Sequence, residues 1–307
     1  MNAVTRFCIS MSLLLLGAFA VNSTCQSNDE FIINRSESEL DNRYQYPYDL
    51  LSLVIEATTA DFGDGSLLVT DLHMSRNRIF RSLKAGEGIN VIAEASKENW
   101  NDDLIPIKIP IRKGIQGFRL FIIQQENATL LANIKTLSQL VSLKTGSGSQ
   151  WSTKVAMQQA GFDVVESTLY ENLFNMLSKG RFVTFGRGVN EVFQEVSQFH
   201  LQYPELMVDE HLLLHIPLVT YYYVSPNQPR LAKRIEVGLK RIIENGQFDQ
   251  LFYQRHCEFL LKAKLNNRLV FKIDNPYIAE TDIISSVGKD FLLNPKDDFD
   301  TLCKPYQ

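Results

Sequence analysis

An α/β fold of two similarly built lobes is predicted by three observations. Short apolar runs alternate with amphipathic segments from Phe31 to Ala93, two strand-like runs interrupt that rhythm between Ile105 and Ile123, and the alternation restarts after Leu137. The 307 residues are 45% hydrophobic with 10 Pro and 16 Gly, enough apolar material for one large or two ordinary domains. A disordered chain, a collagen-like chain and a disulfide-dense mini-protein are excluded.

Taken in order, Phe31 to Ile33 reads as a strand and Tyr48 to Ala60 as a helix, with Leu50, Leu51, Val54 and Ile55 on one stripe. Asp61 to Gly65 is a turn, Ser66 to Thr70 a strand, Ser75 to Leu83 a helix stopped by Gly86, and Ile89 to Ala93 a buried strand. Strands alternating with helices imply a mostly parallel sheet covered on both faces. Ile105 to Ile111, the Lys113-Gly114 turn and Phe118 to Ile123 lead out of this unit. The second unit reads as a short strand at Leu140 to Leu143, a glycine turn, a helix from Ser149 to Ala160, a strand at Asp163 to Val165, a helix from Leu169 to Ser178 and a strand at Phe182 to Phe185. Leu212 to Val224 is β-rich, and Arg230 to Glu244 is a helix with Leu231, Ile235, Leu239 and Ile242 inward, ended at Gly246.

A formal net charge of −4 without a block of like charge gives no footprint for nucleic acid or anionic lipid, so nucleic acid is not an expected partner. Residues 1–20 place Arg6 before the apolar run Phe7 to Ala20, which closes on Ala18-Phe19-Ala20: a cleaved secretory signal peptide, with an exported, periplasmic mature chain expected. Cys25 follows Asn22-Ser23-Thr24, a poor setting for lipid attachment. Of Cys25, Cys257 and Cys303, the last two could close a loop of about 47 residues worth roughly 3 to 4 kcal/mol, although three free thiols stay open. The scattered cysteines do not have metal-ligand spacing.

Five segments carry a resemblance: RNRIFRSLKAG (Arg76 to Gly86), NVIAEASKENW (Asn90 to Trp100), TGSGSQW (Thr145 to Trp151), GRFVTFGRGVNE (Gly180 to Glu191) and LAKRIEVGLKRIIENGQFDQLF (Leu231 to Phe252). In order and spacing they resemble the extracellular solute-binding protein family 3, the amino-acid-type binding proteins of the type II periplasmic fold. The resemblance implies two α/β lobes joined by two crossing strands, with a ligand cleft between them that closes by a hinge. Lobe one would comprise 29–122 and 217–255 and lobe two 123–216, with 256–307 a C-terminal extension packed on lobe one. The implied activity is binding without chemistry, needing no cofactor and no metal. The expected partners are a small polar or anionic solute and an inner-membrane ABC permease or a sensor domain, with the chain acting as a monomer.

Candidate ligand-binding residues follow from this frame. Thr145, Gly146, Ser147, Gly148 and Ser149, read as a turn before a helix, offer backbone N–H groups to an anion; the alternative is a plain turn with Ser149 as N-cap. Arg187 stands where the family carries acidic residues, which disfavours an ammonium and suits a carboxylate or phosphate; the alternative is an internal ion pair with Glu191. Asn99 replaces the arginine that the family places against a ligand carboxylate. Ser96, Lys97 and Trp100 are expected to contribute from lobe one, and Tyr48, with Tyr44 and Tyr46, either covers the ligand or forms a packed edge.

Arg112, Lys113 and Arg119 read as solvated turn charges rather than cleft cations, and His211 with His215 lacks a third metal ligand. Asp61, Asp64 and Gly65 suggest a calcium loop only faintly, because the downstream Glu is missing. GxSxG, HExxH, CxxC and Walker motifs do not occur. The competing readings are a dehydratase-like enzyme on the same fold, with Glu191 or Glu171 as general acid, and a ligand-free interaction module.

Overall fold

The computed structural model describes residues 28–35, 44–72, 74–96 and 98–306. The expected signal peptide, Cys25 and Lys97 lie outside them. Lobe-one elements follow the order read from the sequence: β1 (Asp29–Ile33), α1 (Gln45–Phe62), β2 (Gly65–Val69), α2 (Arg76–Ala85), β3 (Val91–Ala95), α3 (Glu98–Asp103) and β4 (Ile105–Ile107). The α1 stripe of Leu50, Leu51, Val54 and Ile55 is buried as its spacing requires. β1 pairs parallel with β2, and Asn90 ties β1 to the head of β3: its Nδ2 donates to Glu30 O at 2.8 Å, and its Oδ1 accepts from Ile32 N at 2.8 Å.

The chain then builds β5 (Phe118–Gln124), α4 (Ala128–Ala132), α5 (Leu137–Val141), β6 (Thr145–Gly148), α6 (Ser152–Gln159), β7 (Val164–Ser167), α7 (Tyr170–Ser178), β8 (Thr184–Gly188), α8 (Val189–Phe199), β9 (Leu206–Val208) and β10 (Leu212–His215). It returns through β11 (Thr220–Val224), α9 (Pro229–Glu244), α10 (Gln247–Ala263), β12 (Leu269–Lys272), α11 (Glu280–Val287) and α12 (Phe299–Cys303). The large sheet runs β12-β10-β5-β8-β6-β7 with β9 beside β5, and a separate sheet runs β3-β11-β4.

Three expectations are corrected. The sheets are mixed rather than mostly parallel, because β11 re-enters lobe one in the opposite sense and pairs antiparallel with both β3 and β4. Leu140 to Leu143 does not form a strand: Thr136 and Gln139 make a reciprocal capping box that starts α5 instead. Thr145 to Gly148 is not a turn but buried strand β6, paired parallel with β7 and β8. Its glycines admit neighbouring rings, since a Cβ at Gly146 would lie 2.3 Å from Phe182 and one at Gly148 2.4 Å from Trp151.

The two crossing segments meet at Gly117, whose N–H donates to Gly114 O and whose carbonyl accepts from Ile216 N at 3.0 Å. A Cβ there would sit 2.4 Å from Ile216 O, so only glycine permits this approach. The C-terminal extension departs most from expectation, because it is fastened to more than lobe one. β12 extends the large sheet by pairing with β10, and Arg268 donates to the carbonyls of Asp209 and Leu212. Ile283 of α11 packs with Ile79, Leu83 and Trp100, and a Cys257–Cys303 disulfide ties α12 to α10. Among the described residues no helix is long and apolar enough to cross a membrane.

Candidate functional site

A cavity of about 100 Å³ lies where the crossing segments meet the two lobes. Lobe one supplies Tyr44, Arg76 at the head of α2, and Ala93, Glu94 and Ala95 of β3; lobe two supplies Trp151 to Thr153 at the start of α6, Arg187 of β8 and Glu191 of α8. Arg112, Gln116, Arg119, Leu218 and Thr220 of the crossing segments form the floor. At about 30 Å³ per water, the space holds roughly three waters, far too little for a peptide. An outer cavity of about 360 Å³ shares Arg76, Trp151 and Ser152 with it and adds Phe80, Trp100, Ser149 and Tyr277.

Arg187 reaches this site as the penultimate residue of β8, and the tight passage into α8 brings Glu191 and Glu195, one helical turn apart, back over it. Its Nε donates to Glu195 Oε2 at 2.7 Å and its Nη2 to Oε1 at 2.5 Å, while Glu191 Oε2 lies 3.1 Å away. The guanidinium also lies over Trp151, 4.4 Å from the ring centroid. Burial works against its charge, but Glu191 and Glu195 overcome this and hold it above the ordinary arginine range. The internal pair with Glu191 therefore exists, and a second carboxylate completes it.

Arg119 shares Glu191 with Arg187, its Nη1 4.0 Å from Glu191 Oε2, and donates to Gln116 O at 3.1 Å and Gly186 O at 2.8 Å; burial lowers it to about 10 against the pull of Glu191, so it stays charged at neutral pH. Arg76 pairs with Glu94 at 3.0 Å. Arg112 stacks over the Tyr46 ring and faces His256 Nε2 at 3.3 Å. His256 Nδ1 lies 2.8 Å from the Phe252 carbonyl and donates to it, which leaves Nε2 to accept from Arg112. Burial, then Arg112, pushes His256 down to about 3, so the ring is neutral at physiological pH.

The sequence-predicted residues separate clearly. Arg187 lines the inner cavity, and Trp100 and Ser149 line the outer one. Trp100 packs between Phe80 and Tyr223 with centroids 5.4 Å from each. Ser149 is not an N-cap, because its N–H donates to Ser167 O and α6 begins three residues later. Thr145, Gly146, Ser147 and Gly148 line neither cavity, because strand pairing buries them; Thr145 Oγ1 donates to Thr184 O. Ser96 is buried and accepts from Asn101 Nδ2, and the Tyr48 hydroxyl donates to Asn34 O, so both serve lobe one's own packing.

Arg112 and Arg119, read as solvated turn charges, are buried in the cleft floor; Lys113 is buried beside them, paired with Asp249 at 2.8 Å. Glu171 is exposed and lines neither cavity, which removes it as a cleft acid. Sequence reasoning missed Glu94, Arg76 and Trp151. Glu94 had a usable signal, a lone acid inside the apolar strand Val91-Ile92-Ala93-Glu94-Ala95. Among the described residues no group of three or more His, Cys, Asp or Glu side chains could hold a metal.

No protein-family model matches the chain, and no curated protein matches it in sequence. Solved structures do match its fold. An arginine 3rd transport system periplasmic binding protein from Legionella pneumophila superposes with a TM-score of 0.54 at 14% identity, covering 75% of this chain and 100% of that one. An ancestral arginine-binding protein bound to arginine gives 0.53 at 14% identity over 74% and 97% of the two chains. A histidine kinase sensor domain similar to periplasmic binding proteins gives 0.50 at 12% identity over 73% and 94%. The chain has the two-lobed α/β fold of these type II periplasmic binding proteins, with its cleft between lobes joined by two crossing strands. It shares that fold with a transport-system binding protein, an arginine-binding protein and a sensor domain.

Proposed function

We propose that this protein binds a small polar solute carrying a carboxylate, held between its lobes, and presents it to a membrane importer or a sensory partner. The observation carrying this reading is the charge of the inner cavity. Arg76, Arg112, Arg119 and Arg187 meet there against Glu94 and Glu191 in the walls and Glu195 behind Arg187, while His256 is neutral, so positive charge is in excess. Arg187 is held by two carboxylates, whereas among the described residues Arg76 pairs with one acid, Glu94 at 3.0 Å, and Arg119 lies 4.0 Å from Glu191. Arg119 and Arg76 are therefore the better-placed groups to meet the solute, and Trp151 and Tyr44 flank it. Ser152 and Thr153, at the head of α6, take the place of the Thr145 to Ser149 segment as the source of backbone N–H groups.

Glu94 and Glu191 favour a second reading, in which the solute is a zwitterion whose ammonium meets one of these acids. The excess of Arg187 over acid expected from the sequence does not apply once both carboxylates are in place. Two of the fold neighbours are an arginine-binding protein and an arginine transport-system binding protein, which is consistent with this alternative.

Mass spectrometry of small molecules released from protein purified without refolding tests the proposal, followed by thermal melting with each candidate. A carboxylate-bearing solute at 100 times its Kd is expected to add about 2.7 kcal/mol of stability. Recovery of a neutral or purely cationic solute, or no shift with any carboxylate or amino acid, would overturn it.

A further inference from the structure

A second cavity, larger than the interlobe one at about 560 Å³, lies between the crossing segments and the C-terminal extension. Its walls come from three places: the outgoing crossing segment around Phe118, the return segment from His215 to Val219, and the extension through Val270, Ile284 and Leu292. Phe118, Leu218, Val219, Val270, Ile284 and Leu293 supply its apolar lining. Most of the charges around it have partners: Lys272 pairs with Glu280 at 3.1 Å and Lys113 with Asp249 at 2.8 Å, Lys296 donates to Asn266 O, and Asp297 accepts from Asn294 N.

His215 is a polar group of the wall that is half-buried and unspent. Its ring lies 5.2 Å from the Phe118 ring, and among the described residues neither of its nitrogens has a hydrogen-bond partner. Burial, then Lys272, lowers it to about 4 although Glu280 opposes them, so the ring is neutral and offers one donor and one acceptor. The other lining charges, Lys289 and Asp290, are exposed to solvent, so a charged ligand group buried beside His215 would lose its hydration without an unpaired, desolvated counter-charge to meet it.

We infer that this cavity is a second small-molecule site, shaped for an apolar ligand with one neutral hydroxyl, as in a phenol or medium-chain alcohol, that hydrogen-bonds His215. The site does not depend on what the interlobe cleft binds. It does share structure with that cleft: Leu218 lines both cavities, and Lys113 adjoins Arg112 of the cleft floor. An occupant therefore braces the crossing segments against the extension, where lobe movement has to pivot.

The test uses the full chain and three probes with one ring body: 4-ethylphenol, 4-ethylbenzoate and 4-ethylbenzylammonium, titrated by ligand-observed NMR. The phenol is expected to saturate with a Kd below about 1 mM, and the charged analogues to bind at least about tenfold more weakly. Val270→Trp, which fills the cavity from β12, is expected to abolish phenol binding; Ile284→Trp fills it from α11 and serves if the first variant fails to fold. His215→Phe is expected to weaken the phenol about fivefold. No saturable phenol binding, equal binding of a charged analogue, or binding indifferent to a folded tryptophan variant or to His215→Phe would each overturn the assignment.

Discussion

Arg187 and Glu195 face one another as a forked pair, Nε to Oε2 at 2.7 Å and Nη2 to Oε1 at 2.5 Å, with both residues buried. Glu191 stays 3.1 Å from the guanidinium when Glu195 is removed, so Glu195→Ala is expected to cost about 3 kcal/mol of stability, the low end for a broken buried pair. The triple variant Arg187→Met/Glu191→Gln/Glu195→Leu should cost less than Glu195→Ala alone, because neutral groups of similar volume leave no charge of the cluster behind. Denaturant unfolding measures both, and a triple variant as unstable as the single would show that the cluster is not the source of the loss.

Arg76 and Glu94 allow the two solute readings to be separated. Arg76→Ala should weaken any carboxylate solute about ten- to hundredfold, the range of a hydrogen bond to a charged group. Glu94→Gln should weaken a zwitterionic amino acid similarly and leave a simple carboxylate within about twofold. Calorimetric titration of the recovered solute against both variants gives the answer.

The Cys257–Cys303 bridge closes 46 residues of sequence separation. Cys257→Ser/Cys303→Ser is expected to lose roughly 3 to 4 kcal/mol on the chain-entropy account. The midpoint of urea unfolding should drop accordingly, and reductant should lower the wild-type midpoint while leaving that of the double variant unchanged.

His256 and His215 predict acid sensitivity with a definite sign. Both have folded values lowered from 6.5, to about 3 and about 4, by burial first and then by Arg112 and Lys272 respectively. A histidine held neutral in the fold contributes stability that is present above its unfolded pKa and is lost as pH falls from about 6.5 toward the folded value. Each group costs up to about 1.4 kcal/mol per pH unit in that window. His256→Gln retains an acceptor for Arg112 without titrating, so its Tm should fall less between pH 7 and pH 5 than that of the wild type. Parallel curves would remove His256 as the cause.

The local elements were largely legible because their signals are local. The stripe of Leu50, Leu51, Val54 and Ile55 and that of Leu231, Ile235, Leu239 and Ile242 place α1 and α9 correctly, since helical periodicity needs no knowledge of partners. The failures have physical reasons. Thr145 to Gly148 carries the composition of a turn, but two neighbouring strands supply its hydrogen bonds and two aromatic rings occupy the space its glycines leave. Leu140 to Leu143 has a strand's apolar density, yet the capping box before it decides for helix.

For the site, the chain's letters offered Glu191, one helical turn on, as a partner for Arg187 beside the reading of Arg187 as a ligand contact; they read as two similarly built lobes, and the cleft between them came from the family resemblance. Only the tertiary structure decided which cations face that cleft. Arg112 and Arg119 are ordinary turn charges until the crossing at Gly117 folds them inward, and Glu94 meets Arg76 only because β3 packs beside α2. Charge in a sequence is a count of groups. Whether a guanidinium is spent on a neighbour or faces the space between two lobes depends on distances of a few ångströms between segments far apart in the chain, and no local pattern encodes them.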